Sequence, residues 1–182
     1  MNYLIFINNA PEYGYAYLKL AISLTDRGQK VLVLFDSRWS YLIYKKDLGD
    51  ISFCILTDLT LNLSEDHSNL IVSKSFRSIV CFSDYERAKL YNLPLDGLKF
   101  RELVSKYFEV LLSLFIQHKI DRVIYENVSN TIAYILHDIC IQLECTYSGV
   151  YISPIADYFT LESNIFPKPI VIQSVRDVST LD

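Results

Sequence analysis

Residues 121–151 run D-R-V-I-Y-E-N-V-S-N-T-I-A-Y-I-L-H-D-I-C-I-Q-L-E-C-T-Y-S-G-V-Y, and this stretch restricts the architecture more than any other. Residues 123–125 form a short apolar strand core. Glu126, Asn127, Ser129 and Asn130 break it, after which apolar residues recur at Ile132, Ile135, Leu136, Ile139, Cys140 and Leu143. That spacing is one face of a helix. Ser129 or Asn127 is placed to cap it, because a short side-chain oxygen accepts a backbone N–H that the first turn leaves free. A second strand is expected over 146–152. Strand, crossover helix and strand make the parallel unit whose ligands sit beyond the carboxyl ends of the strands. The polar break therefore lies where such a sheet binds things.

The N-terminal segment repeats the pattern. Residues 3–7 are continuously apolar, as in a strand covered on both faces. A loop is expected over 8–14, then a helix to about Arg27 with Gly28 as a left-handed stop, and a strand over 31–35. Further strands are expected at 51–56 and 79–82, with at most a short one at 70–72 inside a long polar excursion over 58–78. Ser83 and Glu86 have capping-box spacing for another helix, and residues 92–97 carry turn chemistry. Two prolines, Pro167 and Pro169, flank the approach to 170–172, which reads as an extended linker or edge segment. The sum is an α/β, Rossmann-like, three-layer domain with a mostly parallel sheet of about six strands over residues 1–165. Residues 166–182 read as a linker or C-terminal tail.

Residues 100–118 predict a long helix that is apolar on most of its faces. Such a helix is buried in its own domain or docks elsewhere, as in a homodimer or a peripheral membrane contact. No apolar run reaches the roughly 20 residues of a membrane span. The opening residues lack a basic leader, so they read as a first strand and the chain as cytoplasmic, at most peripheral to an inner membrane. Cys54, Cys81, Cys140 and Cys145 follow no zinc spacing and are expected as reduced, buried thiols, with no metal site. A formal net charge of -4 without a basic cluster gives a nucleic-acid partner no electrostatic support. The first loop has neither G-x-G-x-x-G nor a P-loop; only Gly14 stands there, which disfavours a pyrophosphate site. His67, His118 and His137 are scattered without ligand spacing.

Residues 17–34, Y-L-K-L-A-I-S-L-T-D-R-G-Q-K-V-L-V-L, resemble the opening of GT-B glycosyltransferases. Residues 125–134, Y-E-N-V-S-N-T-I-A-Y, with 146–153, T-Y-S-G-V-Y-I-S, are similar to a segment of bacterial capsule and surface-polysaccharide glycosyltransferases, as is Ser83-Asp84-Tyr85-Glu86. The likeness covers residues 1 to about 162 in patches. Where that group carries an arginine soon after the serine matching Ser153, this chain has Pro154-Ile155-Ala156-Asp157. The resemblance implies an acceptor-binding, N-terminal half. A saccharide or lipid-linked saccharide would be its partner. A second GT-B domain or partner chain would hold the nucleotide-sugar, and no cofactor is expected on this domain.

On that reading Glu12 and Glu126 are candidate catalytic bases, since inverting transfer needs a group that deprotonates the acceptor hydroxyl. Glu126 has an alternative role as a helix-terminal acid stabilised by the macrodipole, worth about 0.3–1 kcal/mol. Asn8, Asn9, Tyr13, Asn127, Ser129, Asn130 and Ser153 are the candidate substrate-binding residues. Asn127, Ser129 and Asn130 serve equally well as caps, and Asp36 and Arg38 as a surface pair. Two other readings stay open: a stand-alone nucleotide- or sugar-binding module without catalysis, and an assembly domain built on the apolar helix 100–118.

Overall fold

The computed structural model describes residues 1–61, 83–86, 96–152, 159–163 and 170–172; for residues 11, 12 and those past 150 it describes the backbone alone. The strands are β1 (Asn2–Ile7), β2 (Lys30–Phe35), β3 (Ser52–Ile55), β4 (Arg122–Glu126), β5 (Thr146–Ile152), β6 (Phe159–Ser163) and β7 (Ile170–Ile172). The helices are α1 (Pro11–Asp26), α2 (Arg38–Tyr44), α3 (Leu56–Leu61), α4 (Gly97–His118) and α5 (Thr131–Gln142). Residues 83–86 form a further helical turn. The expected strands at 70–72 and 79–82 lie outside the described residues.

The strands form one sheet in the order β3-β2-β1-β4-β5-β6-β7. The first five are parallel, β6 pairs antiparallel with β5, and β7 pairs antiparallel with β6, so that β6 alone of the described strands runs against the rest. This is the α/β, mostly parallel architecture expected from the two strand–helix–strand units, with seven strands in place of about six. Two of the seven described strands lie beyond the buried strands expected: β6, whose Phe159–Ser163 lacks the continuous apolar run by which such strands are recognised, and β7, expected as a linker or edge segment.

Leu4, Ile5, Phe6 and Ile7 are each at most 1% exposed, so both faces of β1 are covered. Helix α1 packs on β1 and β2 and against α2, while α4 packs on α3 and α5. From β1 the chain first winds toward β3 and then crosses to β4 and β5. Right-handed crossovers in the two directions put α1 and α2 on one face and α4 and α5 on the other. The winding reverses between β1 and β4, and a crevice opens there beyond the carboxyl ends of the strands.

Three local readings change. The loop expected over 8–14 is shorter, because α1 begins at Pro11; proline's fixed φ and missing N–H suit a first helical position. Gly14 therefore sits in the first turn of α1, where the Tyr44 ring occupies the space a Cβ would need. That glycine serves packing: Tyr44 is fully buried, stacks on Phe35 and donates its hydroxyl to the Ala10 carbonyl at 3.4 Å. Helix α2 begins where the sequence showed only a polar strand exit, with the Ser37 hydroxyl accepting from the Ser40 amide. Arg38 pairs with Asp58 at 2.8 Å and not with Asp36, whose Oδ1 accepts from the Ser37 and Ser40 hydroxyls.

Helix α4 starts three residues before the expected position, capped by Asp96, which accepts from the Lys99 amide at 2.8 Å. It buries Val104, Phe108, Leu111, Leu114 and Phe115 inside the domain and leaves Leu98 and Ile116 exposed. Gly28 has φ 75, as a left-handed helix stop requires. Cys140 is buried, Cys54 and Cys145 are half-buried, all three are free thiols, and burial raises the pKa of each. Cys81 lies outside the described residues. Among the described residues no helix is long and apolar enough to cross a membrane.

Candidate functional site

At the crevice, β1 delivers Asn8 and β4 delivers Glu126. The register brings them together, because Ile5 is paired with Ile124 in adjacent parallel strands. Asn130, the residue before α5, completes the group. Its Oδ1 accepts from the Ala133 amide at 2.9 Å, so Asn130 is the helix cap, one position beyond Ser129. The Ser129 side chain is exposed, and its amide donates to the Asn127 carbonyl at 2.6 Å. Of the three caps that the sequence offers, Asn130 is the one used in place of Ser129 or Asn127, since the tight turn at 127–129 puts Asn130 in the extended conformation that a cap adopts.

Asn8 is fixed in the same manner, its Oδ1 accepting from the Ala10 amide at 3.1 Å. With both amide oxygens engaged, the two Nδ2 groups have a defined direction. Each donates to Glu126 Oε1, Asn8 at 3.3 Å and Asn130 at 2.5 Å. Each also reaches the Tyr125 hydroxyl, at 3.1 and 3.3 Å.

Burial, and then the adjacent Glu126 carboxylate, push the Tyr125 phenol well above its ordinary pKa, against a smaller opposite pull from the two amides. It stays protonated, accepts from the amides and has its own proton to give to Glu126. The carboxylate is held by two amide donors from two chain segments, and the same two amides share the Tyr125 hydroxyl. Beneath it, the Tyr147 hydroxyl donates to the Glu126 carbonyl at 2.6 Å, and burial raises that phenol too. Tyr17 is buried close by, its phenol raised by burial first and by Glu126 second. Hydrogen bonds of this kind contribute about 0.5–1.5 kcal/mol each and fix geometry beyond that.

A cavity of about 350 Å³ opens beside this group, within the usual range of small-molecule clefts, roughly 300–1,000 Å³. Its polar wall comprises Asn8, Asn9, Asp36, Asp84, Asn130 and Thr131. Its apolar wall is Phe6 and Tyr125 from the sheet with Phe100, Leu103, Val104 and Tyr107 from α4. Asp84 Oδ2 accepts from both the Thr131 amide and the Thr131 hydroxyl, each at 2.6 Å. A second cavity, of about 300 Å³, lies where the strands begin, beside Asn2, Lys30, Asp50 and His118. Parallel sheets place their ligands at the other rim, so the site is assigned to the crevice. Among the described residues no group of three or more His, Cys, Asp or Glu could hold a metal ion.

Of the residues singled out in the sequence, Asn8, Glu126 and Asn130 form one hydrogen-bonded group and Asn9 lines the same cavity. Glu12 and Tyr13 stand in the first turn of α1, which leaves the same rim, and Tyr13 is partly exposed. Asn127 supplies backbone to the turn, and Ser153 lies outside the described residues. Tyr125, Asp84, Thr131 and Tyr107 escaped the sequence reading. Tyr125 reads as strand core there, and only its place at the carboxyl end of β4 could have flagged it. Asp84 and Thr131 are 47 positions apart, and no local pattern announces such a pair.

No family model matches this chain, and no curated protein does. Among solved structures it is similar to the glycosyltransferase SsfS6 of Streptomyces sp. SF2575, at 14% identity and a TM-score of 0.45, over 81% of this chain and 38% of that one. It is also similar to glycosyltransferase VinC in complex with DTDP, at 15% identity and a TM-score of 0.45, over 81% of this chain and 33% of VinC. The chain thus spans well under half the length of either.

Proposed function

We propose that this chain is the acceptor-binding, N-terminal half of a GT-B glycosyltransferase that builds bacterial surface polysaccharide of the capsule or O-antigen type. The observation that carries the reading is the Glu126 carboxylate, held by Asn8 and Asn130 beside a cavity at the reversal point of the sheet. The sequence likeness around residues 125–134 points the same way.

In this role Glu126 accepts the proton of an acceptor hydroxyl as its oxygen attacks the anomeric carbon of the donor sugar. A carboxylate already fixed by two amide donors does not have to be reoriented when the acceptor arrives. Glu12, at the same rim, is the second candidate for the base. Asn9, Tyr13, Asn127, Ser129 and Ser153 are candidates for holding the hydroxyls of a saccharide or lipid-linked saccharide. The nucleotide-sugar belongs to a second domain or a partner chain, and this domain holds no cofactor.

Calorimetric titration tests the proposal. A saccharide acceptor should bind the chain while nucleotide-sugars give no heat, and the chain by itself should not turn over. Tight nucleotide-sugar binding, or full transferase activity of residues 1–182, would overturn it.

A further inference from the structure

The charge of the cavity wall narrows what can occupy it, given the saccharide-binding reading above, on which this step rests. Two lining side chains are carboxylates, Asp36 and Asp84, and Asn130 links the wall to a third, Glu126. Among the described lining residues none is Lys, Arg or His. In a doubly wound sheet, a phosphate at this crevice would draw on the free amides at the start of the following helix. The start of α1 has no side-chain cap but contributes no described residue to the cavity lining, and the start of α5, which does, is already occupied. Asn130 takes the Ala133 amide, and the Asp84 carboxylate takes the Thr131 amide and hydroxyl. An anion entering the cavity would meet carboxylates where it needs donors.

Aromatic side chains line the same cavity. Phe6 and Tyr125 lie edge-to-face with ring centroids 4.6 Å apart, and Phe100 and Tyr107 stand on α4. Ring faces suit the C–H face of a sugar and, next to carboxylates, attract an ammonium group.

We infer that the part of the ligand held in this cavity carries no negative charge, and that an amino-bearing sugar is its preferred occupant. Uronic acids and sugar phosphates are rejected, and any phosphate of a lipid-linked acceptor lies outside the cavity.

The test is a ligand-observed NMR titration of the full chain with glucosamine, glucose, glucuronate and glucose 6-phosphate. It is run at slightly acidic pH, where the amine is charged, in low and in high salt. Glucosamine should bind more tightly than glucose. Glucuronate and glucose 6-phosphate should be weaker than glucose by about tenfold or more, as expected for a unit charge near a partly solvated carboxylate. High salt should narrow the spread. So should Asp36→Asn, which keeps an oxygen for Ser37 and Ser40; the salt comparison stands alone if that variant fails to fold. Equal affinities, or acidic sugars binding as well as glucose, would overturn the inference and leave the saccharide site intact. A spread that neither salt nor Asp36→Asn alters would overturn it as well. Binding of none of the four would remove the saccharide reading itself, and this inference with it.

Discussion

Asn8 and Glu126 stand 118 positions apart in the chain, and the Asn8 Nδ2 lies 3.3 Å from Glu126 Oε1. The contact spans the two strands between which the sheet reverses direction. It joins a residue whose own oxygen is tied to the start of α1 to a carboxylate tied, through Asn130, to the start of α5. Two helix entries and two strand exits therefore share one carboxylate. A disturbance at any of the four should be felt at Glu126, and the predictions that follow exploit this.

Asn130 has separable duties, since one end of its amide caps α5 and the other holds Glu126. Asn130→Ala should lose the cap, lowering stability in urea by about 1 kcal/mol, within a range of roughly 0.5–2. Asn130→Ser should keep the cap and stay within about 0.5 kcal/mol of the parent, because serine ranks with asparagine at that position. Its shorter side chain cannot reach Glu126, so saccharide binding should weaken in both variants. If Asn130→Ser binds as well as the parent, the amide is a cap and nothing more.

Tyr125→Phe removes the hydroxyl on which both amides converge while leaving the ring that packs against Phe6. The stability loss should be about 0.5–1.5 kcal/mol, the size of one net hydrogen bond. Without the hydroxyl that both amides share, the two amides that hold Glu126 become freer to turn, and ligand affinity should fall by more than the stability change alone would produce. Paired urea and NMR titrations check this; unchanged affinity would show that Tyr125 does not position the carboxylate.

Gly149 lies opposite Tyr125 in the β4–β5 pairing, and a Cβ there would stand 3.3 Å from the Asn127 Cα. The contact is with backbone, so it cannot be relieved by a side-chain rotation. Gly149→Ala should push the 127–129 turn away from β5 at a cost of about 1–3 kcal/mol. Amide chemical shifts should move at 126–130, with far smaller changes at the opposite rim. Shifts confined to β5 would mean that the turn has room to spare.

The strand–helix–strand units at both ends were legible because their apolar residues fall into clear periods, as in 132–143, and those periods specify the parallel sheet. The rim was legible for the same reason: in such a sheet, polar residues directly after a strand have one place to go. Asn8 and Glu126 could be named on that ground alone. What escaped depends on partners distant in sequence. Tyr125 looks like core until Asn8 arrives from β1, and Asp84 looks like a helix start until Thr131 meets it. Helix α2 escaped because seven residues are too few for a period to declare itself, and the choice of cap stayed open because Asn127, Ser129 and Asn130 offer equal local chemistry.

His137 supplies a pH dependence whose sign follows from its surroundings. It is buried on α5, its ring edge-on to Tyr147 with centroids 5.5 Å apart, and its Nε2 has no hydrogen-bond partner among the described residues. Burial lowers its pKa below the ordinary 6.5, with Asp138 pulling the other way. Below about pH 6.5 the unfolded chain takes up a proton that the folded chain still refuses, so stability is lost as pH falls through that window toward the folded value. Above the window this residue contributes no slope. Urea midpoints from pH 7.5 to pH 5, as an approximate span set by that reference value, should therefore decline, and decline less steeply in His137→Phe, which keeps a ring against Tyr147. The difference between the two curves isolates His137 from the carboxylates that titrate lower. Parallel curves would mean that His137 gains its proton as readily in the folded chain as in the unfolded one.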